Sequence, residues 1–261
     1  MSNQDLPPLV FTPVQGLPLV RAGDDLGTMI LEALQLNSLE LVQGDILVVA
    51  QKIVSKAEGR KVRLDQVEPS LKALELAEQT GKDPRVVELI LQESQKVIRT
   101  RPGLLIVEHK RGFICANAGI DHSNVDPEGG RREDWVLLLP EDPDASAARL
   151  RAQLEQHSGT SLGVVIIDSH GRAWRLGTVG LSIGISGVPG VVDLRGTPDL
   201  FQQRLKITEV GAADELAAGA SLVMGQAGEG IPVVHVRGFP HPLREAEHRE
   251  ILRPEEEDLF R

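Results

Sequence analysis

A single cysteine in 261 residues, Cys115, excludes an intrachain disulfide framework and a thiolate zinc cluster. A reducing, cytoplasmic setting is the expectation. Tyrosine is absent and aromatic residues make up 3% of the chain, so a stacking platform for single-stranded nucleic acid would be hard to build. Positive charge is also in deficit, since 28 Lys and Arg against 38 Asp and Glu leave a net charge of -10. An acidic surface gains no counterion-release energy from a phosphate backbone, and nucleic acid is not an expected partner. No apolar run approaches the roughly 20 residues that cross a bilayer, and Met1 to Pro8 show no basic segment running into an apolar one. Neither a membrane span nor a signal peptide is expected. The pattern G-x-x-x-x-G-K-[ST] does not occur. Gly184, Gly187 and Gly190 are spaced by three, which fails the G-x-G-x-x-G spacing of a dinucleotide fold. Any nucleotide site is therefore neither Walker-type nor Rossmann-type.

What is present is ordinary globular composition, 41% hydrophobic and 25% charged. Leu9 to Val20 reads as an edge strand running into a loop, because Pro13 and Pro18 suit an edge or a bend. Asp24 and Asp25 can cap a helix over Leu26 to Leu36, where Leu26, Ile30, Leu31 and Leu34 recur at helical spacing. Ile46 to Ala50 is a continuous, β-branched apolar run and predicts a buried strand, followed by a polar loop from Gln51 to Arg63. Pro69 and Pro84 each open a helix. Leu104 to Val107 and Phe113 to Ala116 form a hairpin around Lys110-Arg111-Gly112 and lead into a polar turn over Asn117 to Asp126. A linker lies near 127–134. Asp142-Pro143 starts a helix that ends near Ser158-Gly159, and Leu162 to Ile167 predicts a strand. Gly177 to Gly196 is glycine-punctuated and apolar, Gly211 to Met224 is a helix, Pro232 to Val236 a last strand, and Arg253 to Asp258 a charged helix start. Helices and strands alternate with no repeat, which gives an α+β (mixed α/β) fold.

Several segments carry candidate chemistry. Gly180-Leu181-Ser182-Ile183-Gly184 matches G-x-S-x-G, yet a nucleophile elbow needs a strand, a sharp turn and a helix. No helix-forming run follows, so Ser182 reads as a serine in a glycine-rich loop or strand. Asp168 at the end of an apolar strand and the turn Asn117 to Asn124 each bring a carboxylate to a loop, and together they could hold a hard cation. Asp168 alone could equally make an Asx turn. Lys52, Lys56, Arg60 and Lys61 cluster at a strand exit and suit phosphate oxygens, or form a solvated surface. Met224 to Gly230 has glycines that let backbone N–H groups approach an anion.

Taken in order, these loops resemble the coenzyme F420-0:L-glutamate ligase (CofE) family of GTP-dependent γ-glutamyl ligases over nearly the whole chain. The likeness rests on Gln15 to Leu19, Val54 to Arg60, Asn117 to Val125, Leu138 to Asp144, Asp168 to Arg172, Ile183 to Gly187, Asp199-Leu200, Ala213 to Ala217, Met224-Gly225 and Ile231 to Gly238. The resemblance implies one two-lobed unit spanning 1–261, without the C-terminal flavin-binding domain of some members, acting as a homodimer. It implies that GTP phosphorylates a carboxylate of F420-0 and that the amine of L-glutamate then displaces phosphate. Other acceptors for the same chemistry, such as a folate-like pterin, and a non-catalytic nucleotide-binding protein remain alternatives. Magnesium or manganese, and potassium, are the implied ions. Asp121, Asp168 and Ser169 match metal-binding positions. Gln226 stands where a metal-binding Glu is expected, which exchanges a charged ligand for a weaker amide. Ser169 and His170 replace the more usual Thr and Asn. Leu17, Pro18, Leu19, Val20, Gln51, Lys52, Lys56, Asn124 and Met224, Gly225, Gln226, Ala227, Gly228, Glu229, Gly230 and Ile231 fall on positions that contact GTP.

Overall fold

The computed structural model describes residues 7–123 and 131–260. In chain order its regular elements are β1 (Val10–Pro13), α1 (Leu26–Leu36), β2 (Ile46–Ala50), α2 (Gln51–Ala57), β3 (Lys61–Arg63), α3 (Leu71–Thr80), α4 (Pro84–Gln92), β4 (Ser94–Arg101), β5 (Leu104–His109) and β6 (Ile114–Ala116). They continue with β7 (Trp135–Leu137), α5 (Pro143–Ser158), β8 (Gly163–Gly171), β9 (Thr178–Ser186), β10 (Val192–Asp193), β11 (Glu209–Val210), α6 (Ala212–Met224) and β12 (Val233–Arg237). The class is mixed α and β, as expected.

Five strands make the main sheet in the order β1-β12-β2-β8-β9. β12 is antiparallel to both β1 and β2, β2 and β8 run parallel, and β9 returns antiparallel along β8. The period-two alternation of a strand splits the apolar residues between two faces. Leu47, Val49, Val164 and Ile166 join the core that contains α1 and α5, while Ile46, Val48, Val165 and Ile167 pack with Ala213, Leu216, Ala217 and Ala220 of α6. The larger core continues without a break to Val86 and Val87 of α4 and Leu105 and Val107 of β5. β4, β5 and β6 form a small separate sheet.

Local chemistry explains the element ends. Of the two aspartates before α1, Asp25 is the cap, accepting from the Thr28 N–H at 3.3 Å and the Thr28 hydroxyl at 2.7 Å, whereas Asp24 accepts from Arg21 N–H. Asp142 caps α5 through Ala145 N–H at 3.1 Å, and Gly159 closes it at φ +70°.

Two expectations are corrected. Gln51 to Arg63 is not a loop, since α2 starts directly after β2 and β3 follows, held by burial of Ile53 and Val54 against the core. Of the stretch 127–134 read as a linker, residues 127–130 lie outside the described residues, and Arg132–Asp134 form a 3-10 turn leading into β7, which pairs with β3. The stretch at Arg253 to Asp258 forms a single 3-10 turn, Glu255–Glu257.

The glycine-punctuated region contains β9. Ile166 pairs with Gly184 but Ile167 pairs with Ser182, so Ile183 is an extra residue, a bulge that reverses which face the strand presents. A Cβ on Gly180 would stand 2.5 Å from the Ala217 carbonyl of α6, and one on Gly184 would stand 2.5 Å from the Pro143 backbone of α5. Both helices therefore touch β9 at its backbone.

At the start of β2, Asp45 is fully buried and receives Arg237 Nε at 2.8 Å, Arg237 Nη2 at 2.7 Å and Val42 N–H at 2.9 Å, with His235 Nε2 2.8 Å away. Burial alone would raise its carboxyl pKa, but the bonds from Arg237 and His235 outweigh it and hold the group well below the usual carboxylate range. Asp45→Ala, which strands Arg237 and His235, should cost about 3–5 kcal/mol in urea denaturation at pH 7. His109, stacked on Phe113 at 4.7 Å, is pushed down to about 4 by burial and then by Lys110, Arg111, His170 and Arg60. The fold keeps it neutral while the unfolded chain binds a proton below about 6.5. Its contribution is thus complete above pH 6.5 and falls by up to about 3 kcal/mol as pH drops to 4. Denaturation midpoints measured from pH 7 to 4 should show this slope and lose it in His109→Phe, whereas the Asp45 contribution persists until lower pH.

Candidate functional site

Because β2 and β8 are parallel, their carboxyl ends open at the same edge of the sheet, the place where open α/β sheets carry ligands. A cavity of about 660 Å3 lies there. Its wall is built from Leu17 to Ala22 after β1, Ala50 to Ile53 and Lys56 at the β2–α2 junction, Ile167 to Ser169 of β8, and Met224 to Pro232 after α6. Leu17, Pro18, Leu19, Val20, Gln51, Lys52, Lys56 and all of Met224 to Ile231 are thus brought to one cavity from three separate segments. Asn124 lies outside the described residues. Lys61, Arg21, Ala22, Ile53, Leu137 and Ser221 also line it, and of these only Lys61 was grouped with the site from sequence.

Asp121 stands beside this cavity. Asn117, Ala118 and Gly119 take φ values of +51°, +54° and +68°, a left-handed turn that delivers Asp121 from β6 to its bridge with Leu137. Gly119 is required, since a Cβ would meet Leu139 Cδ1 at 2.6 Å. Lys52 Nζ lies 2.7 Å from Asp121 Oδ2, and Gln51 Nε2 donates to the same oxygen at 3.0 Å. Ser55, one turn along α2, donates to Gln51 Oε1 at 2.9 Å and so fixes which end of the amide faces the carboxylate. Burial raises the Asp121 pKa, Lys52 opposes that rise, and the charge of Asp168 adds to it.

Asp168 accepts from His170 Nε2 at 3.0 Å. Burial would raise its pKa, but His170, the Ser169 N–H and the charge of Lys52 bring it below the ordinary value. Lys52 therefore acts on both carboxylates. Next to them Ser169 Oγ donates to Gln226 Oε1 at 2.8 Å, and Gln226 Nε2 donates to Ser221 Oγ at 2.9 Å. Oxygen donors thus come to this edge of the sheet from β8, the Asp121 turn and the loop after α6, with Asp168 and Ser169 on opposite faces of β8. No group of three or more His, Cys, Asp or Glu among the described residues forms a metal cluster by side chain alone.

The loop after α6 already holds an anion. Gly225 leaves the helix at φ +74° and the chain folds back so that Glu229 accepts from Ala227 N–H at 2.8 Å. That bond and those from the N–H groups of Glu229 and Gln226 hold the Glu229 carboxyl below its usual range. Converging amides of this kind bind anions.

Arg60 is not part of the site. Its guanidinium donates to Leu139 O at 2.8 Å and to Glu93 Oε2 at 2.8 Å, away from the cavity. Ser182 is no nucleophile elbow, since it lies within β9 with no turn or helix directly after it. The fold does gather Ser182, Asp214 and His248 around a smaller pocket, an assembly sequence reading missed. The wiring is not that of a triad: Ser182 Oγ donates to Asp214 Oδ1 at 2.7 Å, and His248 Nε2 contacts the Ser182 carbonyl at 2.9 Å.

A family model described as F420-0:Gamma-glutamyl ligase matches residues 16–238. The chain belongs to this family. It is 46% identical to a coenzyme F420:L-glutamate ligase of Methanothermobacter thermautotrophicus, over 95% of this chain and 97% of that protein. Proteins with the same name from Methanopyrus kandleri and Archaeoglobus fulgidus are 48% and 44% identical, covering 98% and 95% of this chain and 99% and 95% of theirs. No helix among the described residues is long and apolar enough to cross a membrane.

Lys52→Met removes the charge that opposes burial at Asp121. The Asp121 carboxyl should then titrate at higher pH than in the parent protein, read from its 13C carboxyl shift, and an unchanged midpoint would show that Lys52 does not set it.

Proposed function

We propose that this chain is a cytoplasmic, GTP-dependent ligase that joins L-glutamate to coenzyme F420-0 by an amide bond through an acyl phosphate. The observation that carries the reading is the composition of the 660 Å3 cavity, in which an anion-holding loop at Met224 to Ile231, the Lys52 and Lys56 pair and the Asp168 edge share one wall. Phosphoryl transfer asks for that combination of positive charge, backbone donors and fixed carboxylates.

In the first step a carboxylate oxygen of the acceptor bonds to the γ-phosphorus and the bond to the leaving nucleoside diphosphate breaks. The acceptor carboxylate is already a nucleophile, so no Ser-His-Asp relay is required. In the second step the glutamate nitrogen bonds to the acyl carbon, phosphate leaves with the bonding pair, and the nitrogen loses a proton. Lys52 and Lys56, at i and i+4 on one face of α2, are placed for phosphate oxygens, and the amides that now hold Glu229 are placed for the nucleotide phosphates once that carboxylate swings aside. Leu17 to Val20 supply an apolar rim, with Leu19 83% exposed at the cavity mouth.

The donor set fits a hard divalent cation. Two carboxylates that repel one another, a serine hydroxyl and an amide oxygen are all oxygen ligands, and Lys52 now supplies the compensating charge. Asp121 and Asp168 would hold Mg2+ or Mn2+, whose chemistry there would be neutralisation of phosphate charge; Ser169 and Gln226, together on the other face of β8, would offer a second, weaker oxygen site, and potassium is the proposed monovalent ion. Homodimer formation is part of the proposal and is supported by the exposed apolar side chains of Trp174, Leu176, Leu200, Phe201 and Ile207.

The test is a mass-spectrometric assay with F420-0, L-glutamate, Mn2+ and either GTP or ATP. A product one or more glutamyl units heavier, formed with GTP and lost at least 100-fold in Asp168→Asn, is expected. Phosphate release only with a folate-like acceptor would move the acceptor and keep the chemistry; nucleotide binding without product from any acceptor would sink the ligase reading.

A further inference from the structure

His170 is buried, 7% exposed, and its ring rests against Phe113 with centroids 5.7 Å apart. Phe113 is itself clamped between His109, stacked at 4.7 Å, and His248, edge-on at 5.6 Å. This packing leaves the His170 ring little freedom. Its Nε2 lies 3.0 Å from Asp168 Oδ2, while its other edge faces the smaller pocket of about 200 Å3 lined by Phe113, Leu181 and His248. The strand geometry makes the pairing direct: residues two apart on β8 project to the same face, and the Ser169 between them points to the opposite one, where it meets Gln226.

We propose that His170 is a positioning residue that locks the Asp168 carboxylate in one orientation, with Oδ2 tied to the imidazole so that Oδ1 is presented to a divalent cation in the cavity beside the Ser169 N–H. The inference rests on the cation-binding reading of Asp168 given above. Without His170 the carboxylate could turn about its terminal torsion, which has a broad, soft profile, and the preorganisation would be lost. Partners of this kind, which orient a metal-binding group without touching the ion, are worth about 10–100-fold in metal affinity.

Mn2+ titrated into nucleotide-free protein and followed by the EPR signal of the free ion tests this without turnover. His170→Phe keeps the packing against Phe113 and deletes the hydrogen bond, and should weaken Mn2+ binding about 10–100-fold. His170→Gln, which can place a side-chain N–H at a similar reach, should recover most of that loss. In the ligase assay the Mn2+ concentration for half-maximal rate should rise in His170→Phe while kcat at saturating Mn2+ changes less than about 3-fold, a split that partial unfolding would not give. Equal Mn2+ affinity in all three proteins would overturn the positioning role, as would equal losses in both variants accompanied by a lowered Tm. Failure of the parent protein to bind Mn2+ would overturn the cation reading itself, and the proposal with it.

Discussion

Two strands buried on both faces, β2 and β8, run in the same direction, and this pairing decides where ligands can meet the protein. Parallel neighbours cannot be joined by a tight turn, so the chain between Ala50 and Gly163 makes a long excursion that builds α2 to α5 and the small sheet before returning. The excursion leaves from and delivers its charged groups to the same sheet edge. Lys52 stands at its first turn, Asp121 on its return through the left-handed turn, and Asp168 within β8, the strand that closes it. A one-residue slip of β2 against β8 would move Leu47 and Val49 to the α6 face, so the apolar packing also fixes the relative positions of Lys52 and Asp168.

The two ends of β2 use charge in opposite ways. At its amino end Asp45 is saturated by Arg237, His235 and Val42 N–H, and the group is a fixed, ionised clamp between β2 and β12. At its carboxyl end Asp121 and Asp168 share the influence of a single ammonium and oppose one another. A fully satisfied buried charge is structural; two neighbouring carboxylates that share one ammonium at a cavity, with Asp121 held above its ordinary pKa, are an arrangement that accepts further cations. The separation places the stabilising charge and the chemically available charge at opposite ends of one short strand.

Legibility from sequence followed signal length. The runs at Ile46 to Ala50 and Val164 to Ile167 announced buried strands because every residue in them is apolar, and the caps at Asp25 and Asp142-Pro143 announced their helices through the preference of an aspartate for free N–H groups. α2 escaped because two turns are too short to display a period and half of its buried residues, Gln51 and Ser55, are polar beside Ile53 and Val54. β4 escaped because it is a largely exposed edge strand whose only apolar residues, Val97 and Ile98, are adjacent and show no period of two. For the site, the order of short loops pointed to segments that line the cavity, but their meeting at one cavity came only with the sheet order. Arg60 was grouped with the lysines because its charge is visible in sequence and its partner Glu93, on a different element, is not.

The bulge at Ile183 has a bearing on how this strand would look in a complete substitution map. Gly180 and Gly184 each admit a helix backbone and would tolerate almost nothing larger, one because of α6 and the other because of α5. Ser182 between them needs only to satisfy Asp214, which also receives its N–H, and so would accept small replacements. The map would trace a hydrolase signature with an indifferent centre, written by interhelical spacing and by no catalytic demand at all.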